Sequence, residues 1–233
     1  MTGDDPEVPI RPAATLILAR DSPRGPQVLM LERHPRSVFV GGAHVFPGGA
    51  VDALDYDPAV HRLCTASKAR DLAWRVAAVR ECFEEAGVLM ACQSGGARVW
   101  GETPQSLESQ RRQLMAGDLD LSGLCHQQQL QLNTGDMHYY SRWVTPPGPP
   151  RRYDTRFYFA EAPAGQQATA CQQETVSHCW IRPAGALDRW HQQQISLVLP
   201  TVVTLQELAD FDSVHSLLAH CRLRAEQQPD TQD

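Results

Sequence analysis

Lysine is nearly missing from this chain: among its 21 basic residues, Lys68 is the only one that is not arginine. Acids outnumber bases, 27 against 21, for a formal net charge of −6. No broad basic face is therefore available to bind nucleic acid by counterion release, and nucleic acid is excluded as an expected partner. Long apolar runs are lacking too. The greasiest stretch, Ile195 to Leu205, is interrupted by Pro200 and falls short of the roughly 18 residues of a membrane span. Met1 is followed by Asp4, Asp5 and Glu7 instead of a basic and then apolar leader, so the expected location is the cytoplasm, away from membranes. The seven cysteines include no C-x-x-C pair, which removes a zinc knuckle or redox dithiol and leaves ordinary reduced thiols. No internal repeat is present, so a solenoid is not expected. Hydrophobic residues make up 42% of the chain, and its glycines bring the apolar share into the globular range of about 45–50%. Disorder throughout is excluded.

Within these limits the pattern is that of an α/β domain. A loose arm is expected over residues 1–11. Ala14 to Arg20 and Val28 to Arg33 are β-branched and leucine-rich runs joined by Asp21-Ser22-Pro23-Arg24-Gly25-Pro26, two strands and a turn-rich loop. From Ala69 to Met90 the period becomes helical: Leu72, Val76, Val79, Phe83, Ala86 and Met90 fall on one stripe. Thr103 to Ala116 reads as a second helix, and the Gln-rich Leu124 to Leu132 as its helical continuation. Met137 to Thr145, Tyr153 to Ala160 and Val176 to Ile181 have strand composition. Helices are expected from Pro183 to Trp190 and from Leu199 to Leu223, the latter broken near Asp212, with a frayed tail over 226–233.

One run carries chemistry. In Arg80-Glu81-Cys82-Phe83-Glu84-Glu85-Ala86-Gly87-Val88, helical geometry puts Glu84 and Glu85 each within about 60° of Glu81, opposite the apolar stripe. Like charges at i and i+4 cost an isolated helix about 0.2–0.5 kcal/mol. A hard divalent cation would offset that cost, because Mg²⁺ takes oxygen ligands and completes its shell with water and substrate phosphates. Arg80 is suited to orient one carboxylate, and Gly87 to end the helix. On these nine residues alone, a solvated acidic face explains the pattern equally well.

The glycines upstream shift the balance. Gly49, followed by Asp55 and then by Arg80 to Val88, resembles the signature of the Nudix hydrolases, G-x5-E-x7-R-E-U-x-E-E-x-G-U with U aliphatic. The lead-in His44-Val45-Phe46-Pro47-Gly48-Gly49 is also similar. Two positions depart from it. Aspartate stands where the first glutamate belongs, and 24 residues, Tyr56 to Val79, separate it from Arg80 where the family has seven, an insertion of 17. The long insertion, Val45 to Asp52 and Pro149 to Tyr158 together resemble the CoA and acyl-CoA diphosphatase branch. Leu29-Met30-Leu31-Glu32-Arg33-His34 stands where CoA-cleaving members carry Leu-Leu-Thr-x-Arg-Ser, keeping the arginine but not the hydroxyls.

The resemblance implies a Nudix-type α/β/α sandwich with a mixed sheet over residues 12–190 and a C-terminal helical extension over 191–225. It implies that Glu81, Glu84 and Glu85, shaped by Gly49, hold Mg²⁺ or Mn²⁺, with Arg80 beside them. A metal-bound water then attacks one phosphorus of a diphosphate, and Glu81 and Glu174 are both candidates for the general base. Arg33, Asp55 and Arg156 are candidate substrate contacts. The expected reaction is hydrolysis of a nucleoside diphosphate linked to another group, favouring CoA or acyl-CoA, with ADP-ribose, NADH or a dinucleotide as the alternative and a small nucleotide-type molecule as the partner in either case. A homodimer is compatible with the family. The alternative of another class is a catalytically silent Nudix-fold ligand sensor, against which the three intact glutamates argue.

Overall fold

The computed structural model describes residues 8–37, 40–93 and 107–227; the expected start of a helix at Thr103 and the tail beyond 227 lie outside the described residues. The described residues form nine strands: β1 (Ile10–Arg20), β2 (Gln27–Arg33), β3 (His44–Val45), β4 (Gly48–Ala50), β5 (Ala91–Gln93), β6 (Leu130–Leu132), β7 (His138–Val144), β8 (Arg152–Glu161) and β9 (Thr175–Ile181). A 3-10 turn (Ala53–Tyr56) leads to α1 (Pro58–His61) and α2 (Leu72–Ala86), followed by α3 (Glu108–Ala116), α4 (Leu121–Gln128), α5 (Pro183–His191), α6 (Leu199–Leu208) and α7 (Val214–Gln227).

Strand β1 organises the sheet. It runs parallel to β8 from Ile10 opposite Arg152 to Ala19 opposite Glu161, antiparallel to β2 at its end and antiparallel to β4 near its start. Strands β3 and β9 extend the sheet from β2, and β7 from β8. Alternation along the strands feeds two cores. Leu16, Leu18, Leu29, Leu31 and Tyr158 face α2, while Ile17, Ala19, Met30, Phe157 and Phe159 face the opposite layer with Leu205, Leu208 and Leu217. The mixed-sheet α/β/α sandwich is what the sequence implied.

Three boundaries differ from expectation. β1 begins at Ile10, inside the segment expected to be loose, because pairing with β8 reaches that far. The Gln-rich run is not one helix: Gln129 turns left-handed at φ 55° and ends α4, and Leu130–Leu132 pairs with β5. The helices after residue 190 are not an appendage, since they supply the second layer of the sandwich, with Leu205, Leu208, Leu217 and Cys221 fully buried. All seven cysteines are free thiols, and among the described residues no helix is long and apolar enough to cross a membrane.

If α6 and α7 are a true core layer, Leu217→Ala should lower stability by about 2–5 kcal/mol in urea unfolding, the range for emptying a buried leucine site. A loss below about 0.5 kcal/mol would mean a layer that packs only loosely.

Candidate active site

The helix α2 delivers the acidic run because its other face is committed to the core. Leu72, Val76, Val79, Phe83 and Ala86 are buried, leaving Arg80, Glu81 and Glu84 toward β4 and the turn after it. Gly87 stops the helix at φ 67°, with its N–H donating to the Phe83 carbonyl, so Met90 lies beyond it. The insertion is compact: the segment from Tyr56 to Val79 starts at the last residue of the 3-10 turn, contains α1 and the first half of α2, and leaves the glutamates in place.

Arg80 is the centre of the charge network. Its guanidinium grips Asp55 through two hydrogen bonds of 3.0 and 2.9 Å. It also donates to Glu81 at 2.9 Å, to Glu84 at 3.1 Å and to the Ala50 carbonyl at 2.8 Å. Asp55 is 1% exposed and accepts a further bond from the Asp52 N–H at 2.8 Å. The first acid of the signature, which also lines the cavity, therefore anchors Arg80 with both of its oxygens. Glu85 turns the other way and accepts from the Gly48 N–H at 2.9 Å; its Oε1 is buried without a hydrogen bond, 3.8 Å from Arg33 Nη1. At Gly49 a Cβ would lie 2.4 Å from the Glu81 carboxylate, so only glycine lets β4 run this close to α2.

The end of α2 is buried, and its carbonyls are met from outside the helix. Arg111 of α3, 2% exposed, donates to the Glu84 carbonyl at 3.1 and 2.8 Å and to the Thr169 carbonyl at 2.9 Å. The Glu85 carbonyl accepts from the Cys171 N–H at 3.1 Å and the Thr175 hydroxyl at 3.1 Å, and the Ala86 carbonyl from the Thr169 N–H at 2.8 Å. Arg111 and Thr175 escaped the sequence reading because an arginine in a polar helix and a threonine opening a strand carry no distinguishing pattern. Clamping residues 169–175 brings exposed Glu174 near the acidic face, where its charge helps raise the pKa of Glu81, Glu84 and Glu85. Arg156 is elsewhere. Its guanidinium stacks 3.9 Å over Trp74, and it does not line the cavity.

Glu81, Glu84 and Glu85 line a cavity of about 1480 Å³. Its walls draw on both cores: Val60, Val76 and Leu114 come from the one on the α2 face, and Phe46 and Phe157 from the opposite one. Among the described residues no three acidic, histidine or cysteine side chains stand as a ready-made metal cage, since Arg80 and Gly48 draw the carboxylates apart. The donor set nevertheless suits a hard divalent cation: three carboxylates on one helix, one of them with a bare buried oxygen. Burial, opposed by Arg80 and reinforced by Glu84, pushes Glu81 up to about 7. Burial raises Glu84 as well and Glu85 strongly.

A carboxylate whose folded pKa lies above its unfolded value holds a proton that the unfolded chain has released, so its contribution to stability is lost as pH rises through the folded value. Without divalent cation, the melting temperature should therefore fall between pH 5.5 and 8. Glu81→Gln or added Mg²⁺ should flatten the slope; a metal-free profile that stays level would refute the buried-charge account. Removing the guanidinium in Arg111→Met should cost about 1–3 kcal/mol for each carbonyl left bare, read by urea unfolding.

The model of the NUDT19 Nudix domain matches residues 66–208, a span that contains Arg80 to Val88 and Glu174 but begins after Gly49 and Asp55. The acyl-coenzyme A diphosphatase NUDT19 of Gallus gallus is 29% identical, over 89% of this chain and 70% of that protein. Its Homo sapiens counterpart is 30% identical, over 92% and 69%. Among solved structures, a NUDIX hydrolase from Alicyclobacillus acidocaldarius superposes with a TM-score of 0.78 at 26% identity, covering 91% of this chain and 96% of that one. Matching signature, sandwich and family model together, the chain belongs to the Nudix hydrolases, a family that generally uses a divalent metal, and carries a Nudix domain of the NUDT19 type.

Proposed function

We propose that this Nudix hydrolase cleaves the diphosphate bond of coenzyme A or an acyl-CoA with Mg²⁺ or Mn²⁺, releasing 3′,5′-ADP and a phosphopantetheine product. The observation that carries the reading is the placement of Glu81, Glu84 and Glu85 on the wall of a cavity of about 1480 Å³. That volume suits a substrate whose reacting diphosphate joins two large, unlike halves. Similarity to proteins named acyl-coenzyme A diphosphatase selects CoA among such substrates.

Glu81, Glu84 and Glu85 are the groups to hold the cation, with the main chain at Gly49 closing the site against Glu81. Bound there, a divalent cation supplies an acidified water and neutralises charge on the diphosphate oxygens. Arg80 opposes the upward pull of burial on Glu81 and Glu84 and orients both through its charge-assisted bonds. Asp55 in turn fixes Arg80. Arg33, beside Glu85, is placed to meet a phosphate oxygen. Glu174 is not drawn into the Arg80 network and sits on a loop tied to the end of α2; it is our choice for the group that takes the proton of the attacking water.

Incubation with Mg²⁺ and CoA, octanoyl-CoA, ADP-ribose and NADH, with products identified by mass, tests the reading. We expect 3′,5′-ADP from the CoA compounds and little turnover of the others. Glu84→Gln should lower the rate on the order of 10²-fold at saturating Mg²⁺, a few kcal/mol of transition-state stabilisation. Full activity in that variant would remove Glu84 from the metal site, and cleavage of ADP-ribose or NADH alone would replace the substrate.

A further inference from the structure

We infer that a second cavity, at the other end of the β2–β9 pair from the glutamates, binds the phosphoryl group of a small molecule. This cavity, of about 440 Å³, lies between the loop after β1 and the place where β9 gives way to α5. It shares no lining residue with the cavity at the glutamates. β2 and β9 connect the two, pairing from Val28 opposite Ile181 to Arg33 opposite Thr175, about 17 Å of strand at roughly 3.3 Å per residue. A ligand at this second place is independent of the CoA reading.

Three side chains of its lining are charged, Arg24, Arg182 and Arg189, and all three are cations. Acids are the majority in this chain, 27 against 21 bases, yet none lines this cavity. Among the described residues, none of the three guanidinium groups has an ion pair or a hydrogen bond. The acids next to the lining in sequence do not serve them. Asp21 accepts from the Val214 N–H at 2.9 Å, and Asp188 is exposed and stands outside the lining. The lining's one side-chain carbonyl, that of Gln27, is itself turned to a cation, accepting from Arg20 at 3.1 and 3.0 Å.

Guanidinium groups gathered on one small cavity repel one another, and no side chain of the protein offsets that repulsion. An anion would. A phosphoryl group carries about −1.5 to −2 charges at neutral pH, and its oxygens match the forked donors of arginine. The volume lies within the range of small-molecule sites, about 300–1,000 Å³, and three arginines in a chain of net charge −6 are too local a patch to track a nucleic acid. Trp180 closes the site as a wall. Its ring carries the Arg20 guanidinium at 4.3 Å and packs on the core of the α2 face, so it is not an open platform for a nucleobase. Recognition there is by charge.

Arginine footprinting of the full chain tests the site, without divalent cation and at constant ionic strength. Phenylglyoxal labels accessible guanidinium groups, and peptide masses report each arginine separately. The probes are inorganic phosphate, a free anion, and ribose 5-phosphate, an ester. Arg24, Arg182 and Arg189 are exposed and should label readily alone and severalfold more slowly with probe, while exposed Arg112 and Arg222 label at an unchanged rate. Protection by both probes assigns the phosphoryl group itself, and protection by ribose 5-phosphate alone assigns an esterified one. In Arg182→Gln/Arg189→Gln, protection of Arg24 should need at least about tenfold more probe, as for a lost charge-assisted bond, and CoA turnover with Mg²⁺ should stay as in the unaltered protein. Protection no greater than at Arg112 and Arg222, or Arg24 protected equally well in the variant, would overturn the site. Loss of CoA turnover in the variant would overturn its separateness from the glutamates. The footprint reads this cavity whether or not the protein cleaves CoA.

Discussion

The site depends on one guanidinium. Arg80 is surrounded by Asp55, Glu81 and Glu84, all within hydrogen-bond distance, so the cluster keeps an excess of negative charge even before Glu85 is counted. Burying such an excess is unfavourable, and the chain meets the cost by raising the affinity of the glutamates for protons. Protons and a divalent cation are alternative solutions to the same electrostatic problem. A site that is strained without metal and relaxed with it needs no large rearrangement to bind one. Arg80 keeps Glu81 and Glu84 from folding back on the protein, and the short Asp55 behind it is as effective an anchor as a longer acid because the 3-10 turn brings its backbone close.

The same helix carries the second constraint. Its last carbonyls are far from water, and each needs a donor. Those donors come from α3 and from residues 169–175, which is how segments distant in sequence are fixed around the glutamates. Arg111 is buried at a helix C-terminus, where the dipole favours a positive charge. A Cβ at Gly87 would approach its guanidinium to 3.0 Å, so that glycine serves the left-handed turn and leaves room for the arginine. The structural cap and the placement of Glu174 are consequences of one set of hydrogen bonds.

Much of this was legible in the sequence, for identifiable reasons. Alternation in Leu16-Ile17-Leu18-Ala19 and a helical stripe opposite the glutamates are local patterns, and local patterns survive folding. The Nudix resemblance added the upstream glycines, whose close approach to Glu81 no periodicity would reveal. What was missed depends on tertiary partners. Leu130–Leu132 became a strand because β5 was there to pair with it. Asp55 stands out by its place in the signature and Arg156 by its residue type, and neither signal shows that the one is gripped by Arg80 and the other stacked on Trp74. The helices beyond residue 190 looked like an appendage because a solvent-facing helix and a second core layer share the same one-sided pattern.

The insertion shows how such a fold changes specificity without touching its chemistry. Extra residues entered between the first acid and the arginine, at a loop, where they lengthened α2 toward its start and added α1. The glutamates at the other end of the helix kept their register because β4, Arg80 and Arg111 fix that end independently. An insertion at this point alters one wall of the cavity and leaves the glutamates in place. It brings into that wall Asp57, which caps α1, and apolar Val60. The chemistry and the surroundings of the site are therefore set by different parts of one helix and the loop before it, which lets the second change while the first is kept.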